Sequence, residues 1–364
     1  MIVSRPLPPL STVDSVFPSS PPSSIPQSRG IPRHALLHHF FTNFTWPFPY
    51  NYEASQLLAL GNSQPFLLDT LLAVAASHLR HHSVVKQPSR LAEQSQRYLA
   101  LTGFRAALRE PRDDPKTAEA IILTALFLNL LFFSAVDDDD PAKSWIFSRQ
   151  PDRLAWLSLQ LGFKPLVMST NAFREDVFTD VFCLPQVFHY IRLCSQYTGL
   201  GGRATSVFPP HWQQLFGSDG HQGRVFHDPA RVALHLSHIE PTCDNFFLYC
   251  KFFVVLDLEL RFRDLLERED ERAVWLFGYW LGLLHRFHFW WTSPRVRMEW
   301  TAIRIWLHRR GVRSRGMTWK KLMRDLETAA EWPKPVEEEP HEVTDIDHDP
   351  LPWPRVCQEE DSRI

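Results

Sequence analysis

Apolar residues recur along this chain at the three-to-four spacing of buried helix faces, and nowhere at a sustained strand alternation. From Pro32 onward the pattern predicts helices over 35–44 and 52–60, separated from the next by a turn at Gly61-Asn62-Ser63. A third helix is predicted over 65–82. Its apolar stripe is Phe66, Leu67, Thr70, Leu71, Val74 and Leu79, with Pro65 at the start. An amphipathic stretch at 89–110 sets Leu91, Tyr98, Leu101, Phe104 and Leu108 among Arg, Gln and Glu. Pro111-Arg112-Asp113-Asp114-Pro115 ends it before an apolar helix at 118–136, which makes a helical hairpin. Beyond it, helices are expected at 151–161, with Trp156 inward, and at 175–198, whereas the Gly-, Pro- and His-rich 199–228 reads as loop. Helical spacing resumes at 244–268 and 271–291, breaks at Pro294, and returns at 296–308 and 319–330. The expected fold class is therefore all-α, and no internal repeat of solenoid length is evident.

The ends differ from the body. Residues 1–30 are Pro- and Ser-rich, too poor in large apolar residues to repay the entropy of ordering, and are expected to form a flexible leader. Residues 31–333 carry the helical body, and 334–364 form an acidic, Pro-containing tail. In that tail Val343, Ile346 and Trp353 lie among carboxylates, a mix shared by activation segments and by plain disordered tails.

At 364 residues, 44% hydrophobic and 13% aromatic, the chain can bury one large core or two modest ones. The formal charge of -2 gives no global attraction for nucleic acid or anionic lipid. Five cysteines at 183, 194, 243, 250 and 357 form no C-x-x-C pair, which argues against a secreted disulfide framework and favours a reducing compartment. The N-terminus lacks the apolar stretch of a secretory signal. Ala120–Val136 is apolar enough to raise a membrane reading. Its seventeen residues sit at the lower edge of what spans a bilayer, so a buried core helix is expected and no membrane partner.

Several constellations suggest chemistry, each with a plainer reading beside it. His34, His38 and His39, echoed by His78, His81 and His82, have a spacing that can share a metal, but no metalloprotease Glu sits between His34 and His38. Surface or capping roles are expected instead, with no metal and no cofactor. Asp137–Asp140 resembles the magnesium motif of terpene synthases, yet Pro141 occupies the fifth position and no second metal motif follows, so a solvated acidic loop is expected. No nucleophile-elbow, dinucleotide or P-loop motif occurs, and no catalytic residue is assigned. Trp280, His285, Trp290 and Trp291 are the residues that would line a ligand pocket, although an aromatic stripe at helical spacing is ordinarily core. Between Arg295 and Arg324 stand ten Lys/Arg and one acid, Glu299. Arg304, Arg309, Arg310, Arg313 and Arg315 there would contact phosphate, or form a solvated helix end, or pair with the acidic tail.

Four blocks in order then suggest a family: Leu36-Leu37-His38-His39-Phe40-Phe41-Thr42, the run Leu67 to Leu79, the helix bearing Gly103-Phe104-Arg105, and the apolar helix from Ile121. Together they resemble the fungal-specific regulatory domain of zinc-cluster (Zn2Cys6) transcription factors. Arg272-Ala273-Val274, then Tyr279 to Arg286, Trp290-Trp291 and Thr328 to Pro333 are similar to the sterol uptake control branch. The likeness covers about 34–333. Family members hold two zinc ions on six N-terminal cysteines, which set a helix in the major groove; here no cysteine precedes Cys183. Three explanations stand: a gene start placed too late, a loss that leaves a co-regulator, or a domain that acts through a DNA-bound partner.

The resemblance implies a nuclear transcriptional regulator that binds other regulators or co-activators, reaches DNA only indirectly or through a missing N-terminal module, and takes a lipid-like ligand. The alternative from the residues alone is an all-helical enzyme or a carrier of small apolar ligands.

Overall fold

The computed structural model describes residues 31–43, 53–83, 87–110, 114–136, 139–169, 208–217, 221–256 and 261–332, and among them there are helices and no strand. In chain order they are α1 (Arg33–Asn43), α2 (Ala54–Ser63), α3 (Pro65–His82), α4 (Gln87–Ala107), α5 (Pro115–Phe133) and α6 (Ala155–Ser169). Then come α7 (Pro210–Phe216), α8 (His221–Ser237), the short α9 (Phe246–Tyr249), α10 (Lys251–Leu256) and α11 (Arg261–Glu267). The series closes with α12 (Glu271–Leu284), α13 (Ser293–Arg309) and α14 (Met317–Thr328). The all-α expectation is met. The leader, the tail and the helix expected at 175–198 lie outside the described residues.

The turn expected at Gly61-Asn62-Ser63 is not there. Helix α2 runs through all three, and the break falls at Gln64 (φ −128°, ψ 85°). Pro65 is the cause, since its ring excludes the helical region for the residue before it while suiting the first position of α3. The loop expected over 199–228 is likewise overturned where it is described: α7 occupies 210–216 and α8 begins at 221. Pro210 at the first position of α7 starts a helix rather than breaking one.

Helix α4 lies along α3, and the seam between them is made of small and polar groups. Ala92 and Ala100 are buried, and a Cβ on Gly103 would lie 2.8 Å from that of Phe66. Buried Glu93 accepts from Arg80 at 2.6 Å and faces Arg97 at 3.6 Å. The stripe expected on this helix is corrected accordingly: Leu91 and Tyr98 are 42% and 41% exposed, because close helix approach selects for small side chains at the contact.

Helix α5 is capped by Asp114, whose carboxylate accepts from the backbone N–H of Thr117 at 2.9 Å. It is long and apolar enough to cross a membrane. Its residues from Ala118 to Phe133 are nonetheless mostly buried within this fold, packed by α3 and α6. One continuous apolar core runs from Leu36 on α1 to Ala329 beyond α14.

The C-terminal helices pack through two glycines. A Cβ at Gly278 would lie 2.6 Å from Cγ2 of Ile303, and one at Gly282 would lie 2.6 Å from the Cβ of Ala329. Helices α13 and α14 therefore approach the backbone of α12 directly. Indole N–H groups then tie elements together: Trp275 donates to the carbonyl of Leu322, Trp300 to that of Leu326 and Trp280 to that of Tyr249, at 2.9, 3.2 and 3.0 Å.

Candidate functional site

The four aromatic and histidine residues singled out for a pocket go to different packing groups. Trp280 is fully buried, stacked on Phe252 with ring centroids 5.0 Å apart and edge-on to Phe253. Trp291 is buried against Phe133, Phe246 and Phe289. His285 lies over Trp300 at 5.1 Å, and burial first, then the charges of His288, Arg297 and Arg304, lower its pKa. Trp290 faces another way, edge-on to His78 at 5.1 Å and tilted to His81 at 5.8 Å.

Around Trp290 the two histidine clusters of the sequence meet. His39 on α1 and His78 on α3 share a hydrogen bond of 2.8 Å between Nε2 and Nδ1. Asn43 Nδ2 lies 3.0 Å from His39 Nδ1, which makes that nitrogen the acceptor and leaves Nε2 carrying the proton donated to His78. The His82 ring lies 4.4 Å from that of His78. Burial, then the charges of His82, His39 and His81, push His78 down to about 3, and burial with His82 and His38 lowers His39. These imidazoles are held neutral. His34 and His38 are exposed, and among the described residues no group of three or more His, Cys, Asp or Glu is arranged to hold a metal ion.

A second polar cluster is deeper. Arg295, at the start of α13, donates through Nε to the carbonyl of Phe133 at 2.8 Å and through Nη2 to those of Phe132 and Ala135 at 3.2 and 3.3 Å. It thus satisfies carbonyls at the C-terminal end of α5, which a helix cannot satisfy itself. Its guanidinium covers the Trp156 ring at 4.5 Å. Glu299, one turn on, faces Arg295 at 3.5 Å and accepts from the Ser144 hydroxyl. Burial pushes Glu299 up to about 7, against the pull of Arg295, Ser144 and the Trp145 N–H. This latch joins residues 132–145 to α13, and the sequence marks it only as the lone acid of a basic stretch.

At Arg297, Arg310, Arg313 and Arg315 that basic stretch is compensated in space by acids outside it. Arg310 pairs with Glu269 at 2.9 Å and covers Trp306, Arg313 pairs with Glu327 at 3.1 Å, and Arg315 reaches Glu271 at 2.5 Å. Arg304 and Arg309 lie over the rings of Trp300 and Phe147. Of the acidic loop, Asp139 pairs with Arg297 at 2.8 Å and Asp140 caps the short 3-10 turn Pro141–Lys143, while 137 and 138 lie outside the described residues. Burial pushes the Cys250 thiol up to about 12, against thiolate formation.

The arrangement is one of helix seams, polar latches and neutral imidazoles. The family model for the fungal specific transcription factor domain matches residues 35–232, more than half of the chain. No curated protein and no solved structure matches it. With nearly all of α1, α2 to α7 and the start of α8 inside the matched span, the chain belongs to the fungal specific transcription factor domain family, whose members regulate transcription.

Proposed function

We propose that this protein is a nuclear transcriptional regulator whose helical body, residues 31–333, binds other regulators or co-activators. The observation that carries the reading is the family match over 35–232, continued by a core in which α12 to α14 share the same apolar cluster. DNA is reached through a bound partner or through a separate module. The compensated arginines favour this indirect route over phosphate contact by Arg310, Arg313 and Arg315, since an arginine already paired gives less to counterion release. The resemblance of Arg272 to Trp291 to the sterol uptake control branch supports a lipid-like effector as the finer reading.

The test is a fusion of residues 30–364 to a foreign DNA-binding domain in a fungal host. The fusion is expected to alter reporter transcription, while the chain alone shows no sequence-specific duplex binding. An inert fusion together with specific binding by the isolated chain would defeat the reading. Deleting 334–364 from an active fusion then separates the tail's contribution from that of the body.

A further inference from the structure

The outer face of α14 carries an uncompensated charge. Met317, Lys320, Lys321, Arg324 and Thr328 recur at three- and four-residue steps and are all exposed, Met317 at 65%. The opposite face is anchored in the core by Leu322, Met323 and Leu326. The flank is occupied as well, since Asp325 accepts from the Trp212 indole at 2.8 Å and pairs with His211 at 2.7 Å. Glu327, the other acid of this helix, is taken by Arg313 and His308. Lys320, Lys321 and Arg324 thus stand together with no carboxylate from a described residue, in contrast to Arg310, Arg313 and Arg315 nearby.

We infer that this face is the docking site of the chain's own acidic segment 337–349, laid back antiparallel along α14. Charge complementarity and reach both favour that occupant. The segment holds seven carboxylates, Glu337 to Asp349, and no Lys or Arg. Its point of departure is fixed, because Arg286 donates to the carbonyl of Ala329 at 2.8 Å and lies over the Trp332 ring at 5.2 Å. From Trp332 to Glu337 an extended chain covers about 17 Å. The distance back along the helix from Thr328 to Lys320 is about 12 Å. Glu337 to Glu339 therefore reach all three cations, and Val343 and Ile346 follow toward exposed Met317.

Glutamyl endopeptidase, which cuts after Glu337, Glu338 and Glu342, reads the docking in the full chain, with the synthetic peptide 334–361 as reference. At about 0.05 M salt the tail of the full chain is expected to be cut about fivefold more slowly than the peptide, the scale of a few exposed ion pairs acting together. At about 0.5 M salt, where the screening length falls to a few ångströms, the difference should vanish. The variant K320E/K321E/R324E should be cut at the peptide's rate at both salts, and Lys116→Glu, on α5, should behave as the native chain. If the triple variant fails to fold by circular dichroism, Arg324→Glu and the native salt series decide alone. Cleavage of the native tail at the peptide's rate at low salt overturns the proposal, as does protection that survives in the folded charge-reversed chain. Protection that grows with protein concentration overturns it too, because it assigns the tail to a second copy.

Discussion

His78 shows how much a single side chain's surroundings add to its identity. Its ordinary pKa is 6.5 and the folded value is about 3. Between those values the unfolded chain binds a proton that the folded chain refuses, so this stability is intact above pH 6.5 and is lost as pH falls toward about 3. The slope is about 1.4 kcal/mol per pH unit for one proton. The facing groups are His38 and His39 from α1, His81 and His82 from α3, and the Trp290 ring. Urea unfolding across this range should give His78→Gln a slope lower than that of the native chain by about one proton; equal slopes would refute the assignment. Arg295 and Glu299 offer a second test. Removing the arginine alone, Arg295→Met, strands a buried carboxylate and should cost about 3–5 kcal/mol, while adding Glu299→Leu should recover only part of it, because the carbonyls of Phe132, Phe133 and Ala135 stay without their donor. If the double variant is no more stable than the single one, the pair does not act as a unit. Neither cluster is visible as such in the sequence, because each joins residues from helices far apart in the chain.

At the scale of elements, helix positions were legible wherever an apolar face at helical spacing meets a strong start signal, as at Pro65 and at Asp114-Pro115. What failed was local punctuation. Gly61 suggested a turn, but a glycine inside a helix costs only about 1 kcal/mol, which burial of Leu57 and Leu60 outweighs. The stripe through Leu91 and Tyr98 failed for a different reason: periodicity marks which residues are apolar, whereas a tight seam chooses its residues by size. Gly278 and Gly282 are the same lesson in the other direction, two small residues whose role appears only when Ile303 and Ala329 arrive. Gly282→Ala puts a methyl 2.6 Å from the Cβ of Ala329 and 2.9 Å from the Trp300 indole nitrogen, and it should destabilise the protein by about 1–3 kcal/mol of overpacking. Thermal unfolding checks this, with Gly162→Ala, where the added atom meets nothing within 4 Å, as the control.

For the molecule as a whole, the family match ends at residue 232, inside α8, while the core continues to Ala329. The matched span is therefore expected not to fold on its own: Phe133 packs on Trp291, and α5 takes its carbonyl partners from Arg295. A fragment of residues 31–232 should expose this surface, bind a hydrophobic dye and lack a cooperative thermal transition, whereas the full chain should melt in one step. A cooperative transition in the fragment would show that the two parts fold separately. The Arg295 contact also sets a clock. Phe133 leaves the ribosome 162 residues ahead of the arginine that receives its carbonyl. At about 5–20 residues per second of synthesis, the interval is about 8–30 s. For that time the carbonyls at the end of this apolar helix lack their partner and Phe133 lacks Trp291, so that end of α5 stays open until α13 has been made.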